Sequence, residues 1–104
     1  MSLYRRAPRR DGAEPAIVAA LNALGCSVQP LSGKGVPDLL VGIRGLNILL
    51  ECKAPVGPRG GLNGRDLTDD QRIWHATWRG SKPWVVRSAE DAIAAVRAAL
   101  QEAE

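Results

Sequence analysis

The residues of this chain that could do chemistry together are two acids and a lysine. Asp38 ends a Gly-Val-Pro-Asp segment, and Glu51 and Lys53 follow thirteen and fifteen residues later, with Cys52 between them. Side chains alternate across a strand, so Glu51 and Lys53 are predicted to point to one face and Cys52 to the other. A charge inside an apolar strand needs a partner or a ligand, because burying an isolated charge is costly. Two carboxylates beside one amine form a site for a hard divalent cation and a water.

Short apolar runs next to these acids predict the strands that position them. Four strands are predicted, near 26–30, 38–43, 46–53 and 83–87. The second and third are separated by a tight turn at Arg44 and Gly45, which predicts that they pair. An acid at the start of one strand then lies near an acid and a lysine at the end of the next.

Three helices complete a predicted α/β order of α-β-β-β-α-β-α. The first follows Asp11 and ends at Gly25, the second is capped by Thr68 and ends near Gly80, and the third is capped by Ser88. The buried face of the first helix is predicted to comprise Ile17, Val18, Leu21 and Leu24. Residues 54–66 are rich in Gly and Pro and are predicted to form a long loop.

Glu14 has two interpretations. It lies three and seven residues before Ile17 and Leu21, which places it at the N-terminal end of the buried stripe, where it could reach a site. Alternatively, Asp11 and Glu14 form a capping box that needs no catalysis. The two roles exclude each other only in part, since the end of a helix can lie at a site.

Gln71 begins a similar stripe on the second helix, followed by Trp74, His75 and Trp78. Its amide could order a site lysine or a water, or it could be an ordinary first-turn residue in solvent. The tryptophans are predicted to be core residues rather than surfaces on which bases stack. His75 is the one histidine of the chain, and it is predicted to be a packed or surface residue rather than a catalyst.

Composition predicts one domain and an anionic partner. The chain has 104 residues and a formal net charge of +3, enough for one core but not two. Residues 1–10 are interpreted as a basic arm and 11–104 as the folded domain. Such an arm is typical of proteins that contact polyanions, although a solvated tail is an equal alternative. The candidate cations for contacts with such a polyanion are Arg5, Arg6, Arg9, Arg10, Lys34, Arg59 and Arg65.

The remaining composition indicates a cytoplasmic protein. Cys26 and Cys52 lie in predicted strands and are interpreted as buried thiols in a reducing compartment, with a disulfide left open. No apolar run approaches the roughly 18 residues of a membrane span, and no signal peptide is evident.

Taken in order, these elements resemble the PD-(D/E)XK nuclease superfamily, and within it the VRR-NUC group with its small stand-alone phage and bacterial members. The shared pattern is a helix Glu, a Gly-x-Pro-Asp strand, a Glu-x-Lys strand and a Leu-Ser/Thr-x-x-Gln helix start, here Glu14, Asp38, Glu51 to Lys53, and Leu67 to Gln71. It covers about residues 11–93. The Val-Arg-Arg that names the group is only partly matched by Val85-Val86-Arg87, which leaves the role of that strand open.

The resemblance implies a restriction-endonuclease-like fold, a mixed sheet with flanking helices, and a site for Mg²⁺ or Mn²⁺. Asp38, Glu51 and the backbone carbonyl of Cys52 would bind the metal. Lys53 would hold the attacking water and the phosphate, Gln71 would orient Lys53 or that water, and Glu14 would be a further metal or water ligand. The implied catalytic set is therefore Glu14, Asp38, Glu51, Lys53 and Gln71.

The resemblance further implies a homodimer that cuts branched DNA, with four-way (Holliday-type) junctions as the leading substrate. The alternatives are a nuclease for flapped or linear DNA and a catalytically silent nucleic-acid-binding module. A sequence-specific restriction or anti-restriction endonuclease and a buried ion-pair cluster without activity are two further possibilities. The intact acids argue against silent binding, because a binding module has no need for acids facing phosphates.

Overall fold

The computed structural model describes residues 12–55 and 66–104 of the chain. These residues form the elements α1 (Glu14–Leu24), β1 (Ser27–Pro30), β2 (Leu39–Ile43), β3 (Leu46–Cys52), α2 (Asp69–Thr77), β4 (Trp84–Val86) and α3 (Ala89–Glu102). The predicted α/β class and the predicted order α-β-β-β-α-β-α are confirmed.

The four strands form one mixed sheet in the order β1-β2-β3-β4. The first three are antiparallel to their neighbours, and β4 runs parallel to β3. Arg44 and Gly45 both have positive φ, 52° and 78°, as a two-residue hairpin turn of type I′ requires. The predicted pairing of β2 with β3 through this turn is confirmed, with Leu39 opposite Leu50.

One face of the sheet carries the apolar core. Alternate strand residues point into it, and α1 and α3 pack together over the same face. The buried apolar set is Ile17, Leu21, Cys26, Leu39, Val41, Ile48, Leu50, Cys52, Val86, Ala92, Ala95, Val96 and Ala99. Ile17 and Leu21 are confirmed as core residues and Val18 packs at its margin, but Leu24 is 37% exposed because Gly25 ends the helix beside it.

Two of the three helix starts have the N-cap residue that the sequence predicted. Thr68 and Ser88 cap α2 and α3 as predicted, each accepting from the backbone N–H three residues on. The capping-box interpretation of α1 is not supported: Ala13 occupies the N-cap position without a side-chain hydrogen bond, and Glu14 is the first helical residue, while Asp11 lies outside the described residues. A capping box needs its acid at the third helical position, so Glu14 is in the wrong place to close one.

The second helix departs most from the sequence prediction. It ends at Thr77 rather than near Gly80, because Trp78 leaves the helical conformation with ψ at 128°. None of its residues is buried. The prediction that Trp74 and Trp78 are core residues is wrong, because the core lies on the face of the sheet covered by α1 and α3.

Both cysteines are buried free thiols, as predicted, without the disulfide that the sequence left open. Within the described ranges no helix is long and apolar enough to cross a membrane.

Candidate functional site

The candidate site lies where β2 begins and β3 ends. Because Leu39 pairs with Leu50, Asp38 sits just before β2 and beside Glu51 and Cys52. Its backbone carbonyl accepts from Leu31, at 2.8 Å, and its carboxylate Oδ2 accepts from the backbone N–H of Cys52, at 2.7 Å. Asp38 therefore extends the β2–β3 pairing with its side chain, which fixes the carboxylate at the end of β3.

Glu14 reaches Asp38 from α1. One carboxylate oxygen of Glu14, one of Asp38 and the Sγ atom of Cys52 all lie within 4.8 Å of one another, and Glu14 and Cys52 are buried. The position of Glu14 at the N-terminal end of the Ile17 stripe brings it there, as expected for a site residue. The described ranges thus contain a three-residue group with the spacing of metal ligands.

The Cys52 carbonyl points toward the Asp38 side of β3. In a strand, the N–H and C=O of one residue point to the same neighbour. The Cys52 N–H bonds to the Asp38 carboxylate, while the next N–H, that of Lys53, bonds to Val86 of β4 at 2.9 Å. The predicted carbonyl ligand is therefore directed toward the acids, and the thiol, which the sequence did not suggest as a ligand, lies beside them.

A second polar group lies on the opposite face of β3. Glu51 is only 1% exposed, and its Oε2 accepts from Gln71 Nε2 at 3.2 Å. Gln71 Oε1 accepts from Lys53 Nζ at 2.9 Å. Glu51 and Lys53 therefore point to the same face, as predicted, and one amide joins them; the contact of Gln71 with Lys53 is one of the roles that the sequence left open for it.

The capping box of α2 fixes the orientation of this amide. Gln71 Oε1 also accepts from the backbone N–H of Thr68 at 2.9 Å, and the Thr68 hydroxyl accepts from the Gln71 N–H at 3.1 Å. With two donors on the amide oxygen, the amide nitrogen is left to donate to Glu51. The helix start thus determines which end of Gln71 meets the acid and which meets the lysine.

His75 also belongs to this group, and the prediction that it is an ordinary packed or surface residue missed its contact. Its Nε2 lies 3.4 Å from Glu51 Oε1. Burial lowers the pKa of His75, and the charges of Lys53 and Lys82 lower it further, so the neutral ring can donate to the carboxylate. The spacing of Gln71 and His75, four residues apart on one helix face, was the signal that could have found it.

The start of α2 is positioned by a close backbone contact. Gly35 has φ at 75°, and a Cβ atom there would lie 2.5 Å from the carbonyl oxygen of Asp70. Lys34, next to it, is exposed, and its Nζ lies 3.9 Å from the Asp70 carboxylate. Arg72 pairs with Asp69 and donates to the Leu67 carbonyl at 2.9 Å. Lys34 is thus placed at the α2 start, and its predicted contact with DNA stays a prediction.

Arg87 ties two chain segments together at the edge of the site. Its guanidinium donates twice to the Asp66 carboxylate, at 2.8 Å each, and once to the Ala54 carbonyl at 3.1 Å. The hydrogen bond from Arg87 lowers the pKa of Asp66. Ala54 directly follows Lys53, so these hydrogen bonds hold the chain just beyond Lys53.

Six candidate DNA-binding cations fall outside the described residues: Arg5, Arg6, Arg9, Arg10, Arg59 and Arg65. Their contacts with DNA stay predictions.

Comparison with protein-family models, curated proteins and solved structures finds no match to this chain. The chemistry of its residues is therefore the basis for assigning a function.

Proposed function

We propose that the protein is a metal-dependent DNA endonuclease of restriction-endonuclease-like fold that hydrolyses phosphodiester bonds in four-way junctions. The observation that carries the proposal is the amide of Gln71, which joins the buried Glu51 to Lys53 at the strand end where Asp38 lies. An acid, a lysine and an amide of fixed orientation at one strand end suit a reaction in which a positioned water attacks an anionic substrate.

The donors around Asp38 fit a hard divalent cation. The carboxylates of Glu14 and Asp38 and the carbonyl of Cys52 offer the oxygen ligands that Mg²⁺ and Mn²⁺ prefer, whereas Glu51, the acid of β3, is not part of the Glu14–Asp38–Cys52 group. The Cys52 thiol is a softer donor that these ions do not require. A bound ion would offset the charge of the phosphate and lower the pKa of a bound water.

Lys53 would hold the phosphate and the attacking water. An ammonium group has three donors, and in the described part of the chain Gln71 takes one of them. The contact with Glu51 goes through the neutral amide, so Lys53 would offer its remaining donors to a substrate. His75 would fix the other oxygen of Glu51, so that the carboxylate is held at both ends.

The substrate is proposed to be DNA because the chain is basic and its site suits a phosphodiester. Contacts from arginine and lysine to phosphates release counterions, so binding should weaken steeply with salt and depend little on sequence. A homodimer would place two sites about a two-fold axis, which suits the paired cuts that resolve a four-way junction.

The test is cleavage of end-labelled junction, flap, linear duplex and single-stranded DNA, with Mg²⁺, Mn²⁺ or EDTA. We expect metal-dependent nicks in the junction arms at rates well above those on duplex. Equal rates on junction and duplex would favour the nuclease for linear or flapped DNA. Tight binding without cleavage under any metal would favour the silent binding module.

A further inference from the structure

Trp74 and Trp78 form a stacked pair of indoles at the C-terminal end of α2. Their ring centroids are 4.5 Å apart and their planes are 13° from parallel. Trp78 is 45% exposed. Large aromatic rings contribute most to stability when they are buried. A stacked pair with a half-buried inner ring and an exposed outer ring, on a helix without a buried residue, is typical of a binding surface rather than a folding element.

The pair continues the face of α2 that contacts the candidate site. Gln71 and His75 on this face bond to Glu51, and Trp74 and Trp78 lie three and seven residues after Gln71. The Trp74 ring meets the His75 ring edge-on, with centroids 6.4 Å apart. The aromatic surface is thus contiguous with the residues that hold the buried acid.

The charges around the pair complement a phosphate backbone. Residues 71–82 contain no acid and three cations, of which Arg72 pairs with Asp69 while Arg79 and Lys82 flank Trp78 along the chain. Lys82 Nζ donates to the carbonyls of Ala76 and Trp78, at 3.2 and 2.6 Å, which holds a cation against the helix end beside the Trp78 backbone. An anionic chain with flat apolar groups fits this combination better than an apolar protein partner does.

We propose that the Trp74–Trp78 pair is a stacking platform for an unpaired base of a nucleic-acid strand. The choice of nucleic acid rests on the proposed function. Seven residues of helix rise about 10 Å, and nucleotides of one strand are about 3.4 Å apart, so the stacked base lies about three nucleotides from the phosphate at Lys53. Stacking accepts any base, which suits an enzyme that selects DNA by structure and needs unpaired nucleotides near a branch.

Gly80 holds the outer ring in place and offers a way to move it. A Cβ atom at Gly80 would lie 2.8 Å from Trp78 Nε1, so the indole packs closely on this glycine. Gly80→Ala should therefore shift the ring while keeping it. Trp78→Phe keeps a ring that can stack, and Trp78→Ala removes it.

The experiment measures binding without cleavage, in EDTA, with a single-stranded oligothymidylate and a blunt duplex as probes. We expect the single strand to quench tryptophan fluorescence of the wild type. Trp78→Ala should weaken single-strand binding about tenfold and change duplex binding by less than about twofold. Trp78→Phe should restore most of the affinity, and Gly80→Ala should reduce the quenching. The control is Ile73→Ala, since Ile73 is 60% exposed on the opposite side of α2 and should matter to neither probe.

Unchanged single-strand binding by Trp78→Ala, or an equal loss for both probes, would overturn the platform. A Trp78→Ala variant that still binds the single strand but no longer self-associates in light scattering would also overturn the proposal, because the tryptophan pair would then be a protein interface. The two proposals fail separately. If quenching depends on Trp78 but the protein cleaves no DNA, the proposed nuclease function is wrong and the stacking platform stands. If the protein cleaves junctions but Trp78 has no effect on single-strand binding, the stacking platform is wrong and the nuclease function stands.

Discussion

The two faces of the sheet are built by different kinds of contact. On one face, Leu39, Val41 and Leu50 are fully buried under α1 and α3. On the other, α2 has no buried residue and is held by hydrogen bonds from Gln71 and His75 to Glu51. Burial of apolar area stabilises a fold in proportion to that area, whereas a hydrogen bond contributes only about 1 kcal/mol net.

We infer from this difference that the two faces have different roles. The apolar face supplies most of the stability, and the polar face supplies the geometry of the candidate site. Changes on the polar face should therefore reduce activity with little loss of stability, and changes on the apolar face should do the reverse.

The largest effect is expected at Lys53. Lys53→Ala removes the cation proposed to hold the phosphate, and we expect the cleavage rate to fall about a hundredfold to a thousandfold. The fold should survive, because Gln71 Oε1 still accepts from the Thr68 N–H. Single-turnover cleavage and thermal melting measure the two quantities. Lys34→Ala is the matched control, an exposed lysine whose loss should weaken DNA binding slightly and leave the chemical step intact.

The same test extends to the acids. Asp38→Asn and Glu51→Gln should each reduce metal-dependent cleavage strongly while DNA binding persists, since removing an acid reduces repulsion of phosphate. A folded variant that cleaves at the wild-type rate would exclude that residue from the mechanism.

The apolar face is tested with Leu50→Ala. Leu50 is fully buried between the sheet and the helices, so we expect a loss of about 3 kcal/mol in the free energy of unfolding. Leu24→Ala is the control, because Leu24 is partly exposed and should cost well under half as much. Urea unfolding measures both. Similar losses in the two variants would contradict the assignment of stability to this face.

Gly35→Ala tests how α2 is positioned. A methyl group there would meet the Asp70 backbone, so we expect α2 to shift, Gln71 to leave Glu51 and Lys53, and cleavage to fall about tenfold. Gly45→Ala is the matched control. Gly45 also has positive φ, at 78°, but a Cβ atom there has nothing within 4 Å. The two variants share the backbone strain of about 1 to 2 kcal/mol, so a difference in activity reports the contact with α2. Equal activities would show that this contact does not position the site.

The sequence was sufficient for the elements whose signals are local. The turn at Arg44 and Gly45, the caps at Thr68 and Ser88 and the end of α1 at Gly25 each depend on one or two residues, and all are confirmed. Alternation along β3 likewise placed Glu51 and Lys53 on one face, where Gln71 meets both.

The errors on α2 have a common physical cause. A helical stripe of Trp74, His75 and Trp78 has the spacing of a core face, but spacing does not reveal whether the facing sheet is apolar or polar. Here the helix faces Glu51 and Lys53, so His75 of this stripe contacts Glu51, and Trp74 and Trp78 stack on each other with Trp78 exposed. Contacts between distant segments, such as Arg87 with Asp66, also have no local signal in the sequence.

The smallest effect is expected at the Asp66–Arg87 pair, which tests whether polar contacts add stability at all. The Arg87 hydrogen bond lowers the folded pKa of Asp66 below its ordinary value of 3.8, so the pair stabilises the protein above that pH and the benefit is lost as the pH falls through the folded pKa. Asp66 is 43% exposed, so screening by solvent should limit the benefit at pH 7 to under about 1 kcal/mol. Asp66→Asn should show that small loss in urea unfolding at pH 7, and its difference from the wild type should vanish at acidic pH.

Arg87→Lys keeps the charge but cannot donate two parallel hydrogen bonds, so it should lose part of the same stabilisation. A loss of several kcal/mol in either variant would mean that the Asp66–Arg87 pair contributes to stability as the apolar face does, and the division of roles between the two faces would not hold.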